Sequence, residues 1–303
     1  MRKVIDIHVH MGDIFLGGNV GFRTFQPRPE FMDDHFAENG RRGFHFTAVG
    51  KTSSELEERM RQGQKRLLGA TLENIGASMD EEHVTCSVLL PVYPYTSFEE
   101  YLAASRLDSR MIPFSSPDFS LPVDDMVKKL KRDIVRGAKG LKIHSVLQNA
   151  GMKDDRTRAA VEVFGKAGLP VMFHIGISYY YLPEQEASYP SVPEAGAIED
   201  FFDLARRYPD FPLIAAHCAN KYAAELAEGT RGLHNVYTDT TLCSADRMLE
   251  SVEKLGADKV LFGTDYPFST LHDALREVDT AFGNNESVKN GILYGNASRL
   301  LRL

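Results

Sequence analysis

The chain has 303 residues, 43% hydrophobic and 25% charged, with a formal net charge of −7. That apolar content excludes a disordered chain, and the acidic balance argues against nucleic acid or an anionic membrane as the main partner. Three cysteines, Cys86, Cys218 and Cys243, form no CxxC pair, which argues against a thiolate metal cage and fits a reducing compartment. With no signal-like or membrane-length apolar run, the expectation is a cytoplasmic protein.

In chain order, segments 4–10, 84–90, 111–114, 139–144, 170–174, 212–217, 235–239 and 259–264 are short apolar or β-branched runs bounded by turn residues. This is the pattern of parallel strands covered on both faces. Segments 56–76, 98–106, 124–136, 155–167, 195–208, 221–227 and 245–255 carry helical periodicity between them. Gly137 and Gly168 punctuate two of the helix ends. Eight strands alternating with helices predict an α/β fold, a (β/α)8 barrel formed by a single domain over 1–303. Segment 11–50 has no clear periodicity and is read as a lid-like insertion over the catalytic face. A second long connection, 175–193, carries Tyr179, Tyr180, Tyr181 and Tyr189.

Chemistry gathers at the strand ends, where barrel active sites are built. His8 and His10 are two apart on the first strand, so both face one side and offer two imidazole nitrogens to one point. His174 ends the fifth strand, His217 the sixth, and Asp265 follows the eighth. Each alone reads as easily as a satisfied core or turn residue, but together they suit Zn²⁺, and also Fe²⁺ or Mn²⁺. Lys142 and His144 share a face of the fourth strand. Lys142 is read as a cation for a substrate carboxylate or, carboxylated, as a bridge between two metals. Cys218 reads as a packed small hydrophobe. Arg23, Arg28, Arg41, Arg42 and His45 lie in the insertion, where an arginine can hold an anionic substrate or simply be solvated. His35, His83, His234 and His272 are assigned no role.

The segments Val4-Ile-Asp-Ile-His-Val-His-Met-Gly12, Lys139-Gly-Leu-Lys-Ile-His144, Gly168-Leu-Pro-Val-Met-Phe-His174, Phe211-Pro-Leu-Ile-Ala-Ala-His217 and Val260-Leu-Phe-Gly-Thr-Asp-Tyr-Pro267 resemble, in order, those of the amidohydrolase superfamily. The closest likeness is to its amidohydrolase-related (amidohydrolase 2) branch of metal-dependent hydrolases and decarboxylases. The closing Ile292-Leu-Tyr-Gly-Asn-Ala-Ser-Arg-Leu-Leu301 resembles that branch's C-terminal signature. The resemblance implies a distorted barrel holding one divalent metal per chain, usually zinc, with Mn, Fe or a second metal as alternatives. His8, His10 and His174 would be ligands, Asp265 a ligand or a base beside the metal, and His217 a residue acting on substrate or water. His217-Cys218-Ala219-Asn220 departs from the branch's usual turn, and Asn220 is expected to reach the site with Lys142 and His144 as substrate-binding groups.

The leading expectation is hydrolysis of an ester, lactone or amide of a small anionic substrate. Asp265 would take the proton of metal-activated water and His217 would stabilise the substrate oxygen. The alternative is a lyase, decarboxylating or hydrating an aromatic or unsaturated carboxylic acid. A non-catalytic metal barrel is disfavoured, because structural sites are closed by protein ligands and spare polar groups crowd this rim. A homo-oligomer is compatible with the resemblance.

Overall fold

The computed structural model describes residues 2–18, 21–22, 27–45 and 52–303. Its strands are β1 (Ile5–Val9), β2 (Cys86–Leu89), β3 (Met111–Pro113), β4 (Leu141–Ile143), β5 (Val171–His174), β6 (Leu213–Ala216), β7 (Val236–Asp239) and β8 (Val260–Leu261). All pair in parallel, as one ladder β1-β2-β3 and a second ladder β4-β5-β6-β7-β8. Two isolated bridges, Ser115 with Leu141 and Val9 with Tyr266, join the ladders. The Ile7 amide also donates to the Phe262 carbonyl at 2.9 Å, closing the ring. The result is a distorted (β/α)8 barrel. Asp6 ties its two ends together, accepting from the Thr264 amide at 3.0 Å and the Thr264 hydroxyl at 2.6 Å.

Alternation along the strands decides what faces the barrel axis. Leu141, Ile143, Val171, Phe173, Leu213 and Ala215 pack outward with Leu130, Val161, Phe164 and Phe201 of the surrounding helices. Their neighbours Lys142, His174 and Ala216 therefore turn inward. The helix Asp155–Lys166 shows why the covering helices form. Asp154 caps it through the Arg156 amide, and Thr157, Ala160, Val161 and Phe164 make one buried stripe. Burying Phe164 and Val161 contributes roughly 1.5–3 kcal/mol each.

Two readings need correction. Segment 56–76 is not one helix but two, Ser53–Leu67 and Leu72–Glu81. Gly69 sits between them where a Cβ would lie 2.4 Å from the Pro27 carbonyl, and Thr71 opens the second helix by capping the Asn74 amide. The insertion is also less irregular than expected. It holds the helix His35–Arg41, capped by Asp34, and a single turn Pro29–Phe31. Arg23 and 46–50 lie outside the described residues. No helix among the described residues is long and apolar enough to cross a membrane.

Candidate active site

The strand ends bring the singled-out residues together. His8 and His10 each point Nε2 at the same atom, Asp265 Oδ1, at 3.3 Å. His8 Nδ1 donates to Asp239 Oδ2 at 2.8 Å, and His10 Nδ1 to the Leu90 carbonyl at 2.9 Å. Those partners accept only, so both Nε2 atoms carry lone pairs. Two lone pairs and a carboxylate oxygen therefore face one another, an arrangement that calls for a cation between them. Two ligands about 2.0–2.1 Å from one tetrahedral ion stand about 3.3 Å apart, so the donor set fits a divalent metal. Lys142 Nζ, 3.2 Å from His8 Nε2, brings positive charge to the same place.

A second group flanks the first. His174 Nδ1 lies 3.1 Å from His217 Nε2, and His217 Nδ1 is 2.6 Å from the Thr241 hydroxyl, which donates to Asp239 Oδ1 at 2.9 Å. His174 Nε2 meets the Tyr180 hydroxyl at 3.1 Å. His144 stacks on His174 with ring centroids 4.1 Å apart. Asn220 is buried and lines the same cleft. His217 (φ 68°) and Asp265 (φ 62°) both adopt the left-handed region, a strain on the order of 1–2 kcal/mol each that turns the chain sharply where each strand ends. Cys218, beyond the turn, packs into the apolar layer.

Burial sets the charge states. It pushes the His8, His144 and His217 imidazolium forms well below their ordinary range and His174 down to about 3. Neutral imidazole is the form that binds metal. Burial also lowers Lys142 to about 8 and raises Asp265.

Several contributors escaped the sequence reading. Asp239 ends β7 just as the histidines end theirs, and its two oxygens orient both His8 and, through Thr241, His217. That strand-end position was the available signal. Of the arginines considered in the insertion, the three that are described are engaged elsewhere. Arg28 pairs with Glu81 at 2.7 Å and Arg41 with Asp33 at 3.0 Å, while Arg42 pairs with Glu38. His45 is exposed. Arg59, on the helix Ser53–Leu67, lines the cleft together with Lys142 and Lys221, beside His35, which had been given no role. Among the described residues, no carboxylate pairs with Arg59. Phe15, Phe36, Phe268 and Tyr180 form an aromatic cluster lining the same cleft.

Fold and donors together define a (β/α)8 barrel with a candidate metal site at its C-terminal mouth. Residues 99–303 match the family model described as Amidohydrolase, and the chain belongs to that family of enzymes. Solved structures share the fold. A dihydroxybenzoic acid decarboxylase from a Polaromonas species, with bound manganese and the inhibitor 2-nitroresorcinol, has a TM-score of 0.65 and 16% identity, covering 100% of this chain and 98% of that chain. A 5-carboxyvanillate decarboxylase from Sphingomonas paucimobilis has a TM-score of 0.63 and 16% identity over 100% of both chains. A probable 2-pyrone-4,6-dicarboxylic acid hydrolase from Acinetobacter baumannii, with citric acid bound, has a TM-score of 0.59 and 12% identity over 99% of each chain. No curated protein matches the chain.

Proposed function

We propose that the protein is a metal-dependent enzyme acting on a small aromatic or unsaturated carboxylic acid, and that its reaction is non-oxidative decarboxylation. The observation that carries this reading is a cleft with the His8–His10–Asp265 donors at its floor, an aromatic wall of Phe15, Phe36 and Phe268, and Arg59, for which no carboxylate partner lies among the described residues. A divalent metal held by His8, His10, His174 and Asp265 would polarise substrate oxygens as a Lewis acid. Arg59 draws in and pairs the anion. The aromatic wall takes up a flat carbon skeleton and excludes water. The bond from carbon to the carboxyl group breaks, its electron pair stays on the carbon, carbon dioxide leaves, and that carbon takes a proton that Asp265 or His217 has first accepted from a substrate hydroxyl or from water. The solved structures that share the fold include decarboxylases of aromatic acids.

Hydrolysis is the second reading, and the Asp239–Thr241–His217 chain favours it. That chain holds the His217 ring at the cleft with its Nε2 lone pair able to accept a hydrogen bond from substrate or water, while Asp265 takes a proton from water and returns it to the leaving group. The test loads the protein with Zn²⁺ or Mn²⁺ and offers hydroxybenzoates and muconate-like acids, then lactones and esters. Carbon dioxide release above an Asp265→Asn background supports the first reading. Ring opening or ester cleavage without carbon dioxide supports the second. A protein that takes up no metal under either loading sinks both.

A further inference from the structure

The cleft is charged against the grain of the protein. The chain carries a formal net charge of −7. Yet the described residues that line the cleft include three cations, Arg59, Lys142 and Lys221, and a single carboxylate, Asp265. A cationic cleft in an acidic protein concentrates anions at that one place.

The three cations belong to different parts of the cleft. Lys142 comes from β4 and stands on the floor, its Nζ 3.2 Å from His8 Nε2. Arg59 comes from the cap helix Ser53–Leu67, and Lys221 closes the short helix Cys218–Lys221 that follows β6. Desolvation first, and then the charge of the Arg59 guanidinium, lowers the pKa of both Lys221 and His35. Arg59 thus turns its charge on residues of the cleft, and no carboxylate among the described residues answers it. A carboxylate brought to the metal donors on the floor is met there by the metal and by Lys142. A monoanion bound in that way leaves two like charges, Arg59 and Lys221, acting on each other beside the apolar Phe15, Phe36 and Phe268, where charges interact more strongly than in water.

We infer that the substrate is a dicarboxylic acid, with one carboxylate at the metal donors on the floor and the second held between Arg59 and Lys221 at the rim. The arginine fork can take both oxygens of that second group, and the lysine adds a point charge. The second carboxylate takes no part in bond breaking and stays on the product. Its work is orientation: with one end held at the rim, the other end of the flat skeleton meets Asp265 and His217.

This rests on the reading of the protein as a metal-dependent enzyme acting on a carboxylic acid, and the experiment measures binding rather than turnover. Desalted, Zn²⁺-loaded protein is titrated calorimetrically with benzoate and sorbate, then with their dicarboxylic counterparts phthalate, isophthalate, terephthalate and trans,trans-muconate. The matching carboxamides keep the shape of the second group and remove its charge. Arg59→Ala and Lys221→Met receive the same panel. The expected result is a dicarboxylate that binds about 10–100-fold tighter than its monocarboxylic parent and its carboxamide, as for a charged hydrogen bond. Each variant is expected to lose most of that advantage and to keep the affinity for monocarboxylates near wild type. Dicarboxylates that bind no tighter than monocarboxylates overturn the inference and leave the proposed function in place. An advantage that survives in both variants overturns it too, because the second carboxylate then lies elsewhere. Loaded protein that binds neither class overturns the proposed function itself. If Arg59→Ala does not fold, Lys221→Met decides, since Lys221 is exposed at the rim.

Discussion

The barrel mouth is built by two regions held in different ways. The strand ends are fixed by backbone ladders, so His8, His10, His174 and Lys142 have little freedom beyond their rotamers. The cap, made of residues 29–45 and 52–67 and the 175–192 connection, is fixed largely by side chains. Arg66, fully buried, bonds Asp34 at 2.7 Å and the Pro267 carbonyl, and lies over the Phe36 ring. Gln64 bonds Gln185 at 2.7 Å, and Tyr181 bonds the Phe15 carbonyl at 2.9 Å. The difference suggests a division of labour. The rigid frame carries the groups whose relative positions must be exact for metal and proton chemistry. The cap carries Arg59, His35 and Tyr180, which line the cleft.

Breaking each side separately sharpens that contrast. The largest effect is expected on the frame. Asp265→Asn is expected to lower kcat/KM by about 10²–10⁴-fold with an unchanged circular dichroism spectrum. Turnover near wild type would remove Asp265 from the chemistry.

On the cap, Arg66→Ala strands Asp34 beside the β8 loop. A loss of about 3–5 kcal/mol in urea unfolding is expected, as for one partner of a buried ion pair. A midpoint unchanged from wild type would mean that the cap is not anchored through this residue.

Arg59→Ala tests recognition rather than architecture. A charged hydrogen bond worth about 1.5–3 kcal/mol corresponds to roughly a 10–150-fold rise in KM at near-constant kcat, partly restored in Arg59→Lys, which keeps the charge without the fork. An equal fall in kcat would instead place Arg59 in the reacting step.

The smallest effect is Thr52→Ala. It removes the capping box that opens the helix Ser53–Leu67 at about 1 kcal/mol. Hydrogen exchange should rise in that helix and leave β1 to β8 protected. Uniform exchange across the barrel would show that cap and frame unfold together.

Much of the frame was readable before any coordinates. All eight strands lie within the predicted segments, and of the eight site residues singled out His8, His10, His144, His174 and His217 stand at or just beyond strand ends, Lys142 lies inside β4, Asp265 in the turn after β8 and Asn220 after β6. The helix Leu271–Phe282 was overlooked although Leu271, Ala274, Leu275 and Val278 repeat with helical spacing and are buried. Asp239 was overlooked because a lone carboxylate closing a strand looks like an ordinary turn residue until its two oxygens are seen to serve two histidines. Arg59 offered no local signal. It belongs to a helix rich in charge, where one arginine among Glu57, Glu58 and Arg61 reads as solvated surface.

The sequence by itself determined the alternation of strands and helices and the placement of imidazoles and a carboxylate at one end of the barrel, because strand periodicity and turn chemistry are local. Tertiary structure alone decided which nitrogen each histidine presents, which arginine enters the cleft and what faces His174. Those depend on contacts between residues far apart in the chain, such as His8 with Asp239 and Gln64 with the Tyr180 carbonyl, and no local pattern encodes them.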